Sequence, residues 1–216
     1  MKSWQEFMPD ILPDVYGCPD PTVVLALRRV SRQFFEQTRI WRLWMDPVSI
    51  KLGVVNYDLD LEVQSELVNI ERATLNGAAL EVTNSEALGS GWRIQNQAYG
   101  PCVFTEDRKT FNFLPALVTG DLVQLEVTLK PSSNAVGIVD AYFDQYAETL
   151  ATGAKARLMQ QPNKPYSNPN LGMLLEQQFN NAITDVNIRR AHGFSSSPLT
   201  VRPRSFASNT RSNTWL

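Results

Sequence analysis

The hydrophobic period of this chain changes twice, and the two changes bound what it can fold into. Between Asp20 and Arg42, the residues Val23, Leu27, Val30, Phe34, Thr38 and Trp41 recur at steps of three and four, one face of a helix. After Asp46-Pro47 the step falls to two. Val55, Tyr57, Leu59 and Leu61 alternate with Asn56, Asp58, Asp60 and Glu62, as in a strand with one buried face. Val123, Leu125, Val127 and Leu129 repeat that alternation. Past Pro131 the helical step returns, first at Phe143, Ala147, Leu150, Ala154 and Leu158, then at Leu171, Leu174, Leu175, Phe179, Ala182, Ile183 and Val186.

Local chemistry places the boundaries. Asp20-Pro21 and Asn168-Pro169 each put a capping side chain before a proline, whose missing N–H costs nothing in the first turn of a helix. Arg189, Arg190 and His192 before Gly193 suit a helix C-terminus, where cations meet free carbonyls. Asn76-Gly77 between two apolar runs marks a hairpin, because both residues tolerate positive φ. A second hairpin is expected from Cys102 to Leu114, with Glu106-Asp107-Arg108-Lys109 as its charged tip, and Trp92-Arg93-Ile94 begins a further strand. Short strands at this spacing predict an antiparallel sandwich or barrel. The expected fold class is α+β: a bundle of three main helices from residues 1–45 and 133–193, an inserted β-sandwich or barrel at 46–132, and an extended C-terminal arm at 194–216.

The arm is set apart by composition. It has serine runs, no periodicity, three arginines (Arg202, Arg204 and Arg211) and no acid, the last acidic residue of the chain being Asp185. Such a segment does not pack on its own. Leu199, Val201, Phe206, Trp215 and Leu216 nevertheless punctuate it, which predicts an arm that orders on a partner. The second helical region has its own peculiarity. Ala151, Gly153 and Ala156 make one edge small enough for another backbone to approach, either a neighbouring subunit or the next helix of the same bundle.

Little in the composition points to chemistry. The net charge of −2 argues against a nucleic-acid binder, and no apolar run is long enough to span a membrane. The charged fraction, 19%, is low for a soluble surface, which fits a surface partly covered by partners. His192 is the one histidine and reads as a helix-end residue; Cys18 and Cys102, both beside prolines, read as isolated buried thiols of a reducing compartment, with a single disulfide between them the alternative. No glycine loop of the phosphate-binding kind occurs, and one histidine with two distant cysteines makes no zinc site. Two other readings stay open at this level. One is a hydrolase using Cys102 or Cys18 with His192, or the pair Asp58 and Asp60; the other is a carbohydrate-binding module with Trp92, Tyr99 and Phe104 as its platform.

Three stretches carry a resemblance. YAETLATGAKARLMQQPNKPYSNPNLG, the opening ILPDVYGCPDPTVVLALRRVSRQFFEQTRIW and the segment PALVTGDLVQLEVTLKPS together resemble head-to-tail adaptors, also called connector or tail tubular proteins, of short-tailed bacteriophages. The similarity is spread over nearly the whole chain and rests on no catalytic motif. It implies a structural virion protein, not an enzyme, with no cofactor or metal. Such a protein is assembled in the host cytoplasm as a twelve-fold ring beneath the portal. The ring would bind the portal through the C-terminal arm, receive the tail nozzle below, and let genomic DNA pass without sequence-specific contact. Arg202, Arg204, Phe206, Arg211, Trp215 and Leu216 are then the arm residues expected on the portal. Ala151, Gly153 and Ala156 are the expected subunit-interface residues.

Overall fold

The computed structural model of the chain describes residues 1–88, 100–114 and 120–193. Its elements begin with β1 (Lys2–Ser3), a 3₁₀ turn at Trp4–Phe7, α1 (Met8–Ile11) and the long α2 (Asp20–Thr38). Six short or medium elements follow: β2 (Arg42–Trp44), β3 (Val48–Ser49), β4 (Asn56–Asp58), β5 (Ser65–Leu75), β6 (Ala78–Val82) and α3 (Ser85–Leu88). Then come β7 (Cys102–Phe104), β8 (Thr110–Leu114), β9 (Leu122–Pro131), β10 (Gly137–Ile138), α4 (Asp140–Met159) and α5 (Pro169–His192).

β9 is the spine of the sheet. It pairs antiparallel with β2 and β3 on one edge and with β5 on the other, and the order continues β6, β7, β8, β4. Both expected hairpins form. Asn76 and Gly77 take φ of 51° and 82° between β5 and β6, and the Glu106–Lys109 tip joins β7 to β8. At that tip Asp107 accepts the Lys109 and Thr110 N–H groups at 2.8 Å each, which frees Arg108 to take its positive φ. The alternating run from Val55 to Glu62 yields a strand only at Asn56–Asp58, paired with β8; Asp60 and Glu62 lie beyond it.

The architecture corrects the one expected from sequence. In place of a three-helix bundle with an inserted antiparallel sandwich or barrel, the strands form one curled, mixed eight-stranded sheet, a half-barrel, with five α-helices among the described residues. Two physical reasons account for the difference. A strand with one buried face needs an apolar cover, and α2 supplies it by packing on β9, so no second sheet is required. Phe34, Phe35 and Trp41 share one core with Val127 and Leu129 of β9. Secondly, β7 pairs with β6 in the same direction, with Glu81 opposite Cys102, an arrangement that hairpins cannot make and that alternation does not encode.

Three long helices stack on the sheet's covered side. α4 runs back against α2 and α5. The crossing is aromatic: Phe34 meets Phe35, Tyr146 and Phe179 at ring-centroid distances of 5.5, 5.2 and 6.3 Å. Aromatic pairs at such separations add about 0.5–1.5 kcal/mol each beyond their buried area. Near the start of α4, Tyr142 packs on Phe35 and Trp41 and donates to the Ile40 carbonyl at 3.2 Å. On the other side of α4 the N-terminal turn docks through Phe7 on Phe143 at 4.8 Å and through the Lys155–Asp14 ion pair at 2.8 Å. The Trp4 indole N–H donates to the Ala135 carbonyl at 2.7 Å, and β1 pairs with β10, so the first residues are sewn to the lead-in of α4.

Helix ends differ from expectation in detail. α2 stops at Thr38 because Arg39 turns left-handed, φ 50°, so Trp41 lies beyond the helix. Pro19, not Asp20, is its N-cap, and Asp20 sits in the first turn. At α5 the device works as expected: the Asn168 side chain accepts the Leu171 N–H at 3.2 Å with Pro169 next to it. That helix closes on Gly193, φ 69°, whose N–H reaches the Arg189 and Arg190 carbonyls.

Candidate assembly surfaces

The small edge of α4 is consumed inside the subunit. Ala151, Gly153 and Ala156 are all buried, and a Cβ placed on Gly153 would sit 2.7 Å from Val30 Cγ1 and 2.8 Å from the Phe179 ring. Real Cβ atoms are not found that close to other heavy atoms. The subunit-interface role expected for these three residues is therefore corrected: what approaches them is α2 and α5 of the same chain. Gly172 does the converse on α5, where a Cβ would meet Gln160 and the Ala156 carbonyl.

What remains exposed is more telling. α5 buries only Gly172, Phe179, Ile183 and Val186, a stripe at steps of seven, four and three. At about 100° per residue, Met173, Gln177, Asn181, Thr184 and Ile188 lie on the opposite side. All five are exposed, Met173 to 58% and Ile188 to 52%, and none carries a charge. Leu174, 52% exposed, borders them, as does the exposed carboxylate of Asp185 beside Asn181 and Ile188. A solvated helix face normally carries Lys and Glu; an exposed face of Met, Gln, Asn, Thr and Ile is one that tolerates being covered. Sequence periodicity counted Leu171 and Leu174 into the core of this helix, yet both are exposed. The full set of apolar positions on α5 is wider than one buried stripe, and that excess was the readable signal.

Charge is laid out unevenly around the same helices. A cleft on the outer side of α2 is lined by Arg29, Arg32, Gln33, Glu36, Gln37 and Arg157. Within it Arg32 holds Glu66 through two bonds of 3.0 and 2.8 Å and also donates to the Pro131 carbonyl, while Lys130 holds Glu36 at 2.8 Å. These pairs tie α2 to β5 and β9. Hydrogen bonding from Arg32 holds the Glu66 carboxyl below its ordinary value, and Lys130 does the same for Glu36. Arg29 and Arg157 are exposed and form no ion pair with any described residue. On α4, Asp140, Asp144 and Glu148 are exposed; Asp140 pairs with the Met1 amino group at 2.9 Å.

The residues considered for chemistry are scattered. Cys18 and Cys102 are free, buried and in separate apolar clusters, and burial pushes both thiols up, away from the reactive thiolate. His192 is exposed in the last turn of α5. Asp58 and Asp60 are both exposed, but the strand ends at Asp58, so they do not share a strand face. Phe104 is only 1% exposed and belongs to the core, which removes it from any surface platform; Trp92 and Tyr99 lie outside the described residues. Among the described residues no three His, Cys, Asp or Glu side chains are grouped as metal ligands would be. The arm residues Arg202, Arg204, Phe206, Arg211, Trp215 and Leu216 also lie outside the described residues.

Compared with known proteins, the chain matches no protein-family model and no curated protein. No described helix is long and apolar enough to cross a membrane.

Proposed function

We propose that the chain is a structural subunit of a virion, a head-to-tail adaptor that assembles into a ring joining the portal to the tail. The observation that carries this reading is the resemblance spread over residues 11–41, 115–132 and 146–172, at both ends and in the middle of the chain. The surface supports it independently. One long helix carries an uncharged, partly apolar outer face, and large apolar side chains recur elsewhere, including Tyr16 at 88% and Leu25 at 44% exposure. A closed ring uses heterologous contacts, one face of each subunit on a different face of the next, and so calls for two such surfaces per subunit.

In this reading the ring extends the channel through which DNA leaves the head, and a near-neutral protein suits that passage, since a basic lining would retain the phosphates. The arm, residues 194–216, reaches the portal with Phe206, Trp215 and Leu216 as apolar anchors and Arg202, Arg204 and Arg211 as charge partners. The test is the double substitution Phe206→Ala and Trp215→Ala. It abolishes co-sedimentation with the portal while leaving assembly of the subunit itself unchanged; undiminished portal binding would refute the arm assignment.

A further inference from the structure

We infer that one subunit's α4 carboxylates, Asp144 and Glu148, dock into the Arg29/Arg157 cleft of a second copy of this chain. The inference rests on the ring reading above and names the surfaces that make its contact. Nine residues separate Glu148 from Arg157 on α4, so at about 100° per residue the two side chains leave opposite sides of the same helix. Asp144, one turn before Glu148, shares its side. A contact that joins opposite sides of one helix is head-to-tail by construction and propagates from copy to copy.

The charges match in number as well as sign. In the cleft, Arg32 is neutralised by Glu66, and Glu36 by Lys130, which leaves Arg29 and Arg157. On the carboxylate side, Asp140 is taken by the Met1 amino group and Glu6 by Lys2, which also attracts Asp144 at longer range, and neither Asp144 nor Glu148 forms an ion pair among the described residues. The cleft has a volume of about 530 Å³, room for two carboxylate side chains. Its floor is fixed, because Arg32, Glu36, Glu66 and Lys130 are held to one another and to the Pro131 carbonyl. Two arginines presented from such a frame meet carboxylates with little reorganisation. Exposed ion pairs contribute little affinity, so the pairs set the direction and rate of association while the uncharged parts of the interface hold it.

The test is assembly of the full chain, followed by native mass spectrometry, with two charge-reversed variants: Arg29→Glu with Arg157→Glu, and Asp144→Lys with Glu148→Lys. All four positions are exposed, so the fold tolerates the changes, and a circular-dichroism melt of each variant verifies this. Each variant alone is expected as a single chain at concentrations where the unaltered protein is assembled. Mixed together, the two variants have two complementary pairings, the unaltered cleft of one with the unaltered carboxylates of the other and the acidic cleft with the lysine patch, and are expected to co-assemble in alternation while neither assembles alone. The chain carrying all four reversals regains assembly, because its surfaces are again complementary. If the unaltered protein assembles and both reversed variants assemble equally well, this contact is refuted and the ring reading stands. If the unaltered protein stays a single chain even with a portal ring present, both fall together.

Discussion

Gly153 is the residue at which the packing of the three long helices is decided. A side chain there would have to displace Val30, which is stiff at χ1, and the ring of Phe179, which is 4% exposed and has nowhere to go. Gly153→Leu is expected to lower the free energy of unfolding by about 3 kcal/mol, the upper part of the overpacking range, measured by urea denaturation. Ala at the same site recovers about 1 kcal/mol of helix propensity and loses less. The carboxylates of Glu36 and Glu66 make a second prediction at this scale. Both are held below their ordinary value of 4.5 by hydrogen bonds from Lys130 and Arg32. A carboxylate whose folded pKa is depressed contributes its stabilisation in full above the unfolded value and loses it as pH falls through the folded value. The melting temperature is therefore expected to be level from pH 7 to about 5 and to fall below about 4.5. In Glu66→Gln it should begin lower and fall less steeply, which a series of melts between pH 3 and 7 reads directly.

At the scale of elements, α5 is held by few side chains for its length. Phe179 is the largest of them and meets Phe34 across the crossing. Phe179→Ala is expected to cost about 3–5 kcal/mol in a denaturation experiment, whereas Met173→Ser, on the uncharged outer face, stays within about 0.5 kcal/mol for the isolated chain. Equal losses from the two would mean that the outer face packs within the subunit. Much of this element structure was legible in the sequence. Asn168-Pro169 and Asn76-Gly77 each act through backbone chemistry that is local, so a few residues suffice to specify them. The sheet was not legible as a whole. Alternation shows that Val123, Leu125, Val127 and Leu129 bury one face, but not that α2 covers it, nor that β6 and β7 run parallel. The small edge of α4 was legible as a close approach, while the partner was not: periodicity gives a face, and only tertiary contacts give its occupant. The ion pairs from α2 to β5 and β9 have no local sequence signature, because Glu36 and Lys130, like Arg32 and Glu66, are far apart in the chain.

At the scale of the whole molecule, the features that offer little for chemistry are the ones proposed to serve assembly. The thiols are buried and held protonated, the one histidine ends a helix, and exposed apolar side chains on α2 and α5, Leu25, Met173, Leu174 and Ile188 among them, accompany others on strands and loops. Asp144 and Glu148 leave one side of α4, and Arg157 leaves the other, beside Arg29 of α2, which is the arrangement the proposed head-to-tail contact requires. The most direct measurement of this claim is the native mass of the purified chain, alone and with a portal ring, at low and high salt. The account predicts a closed assembly of about 290 kDa, twelve times the 24.3 kDa chain, on the portal or alone, weakened as salt screens the Asp144/Glu148 to Arg29/Arg157 contact. A chain that stays at 24.3 kDa under every condition, portal included, would contradict it.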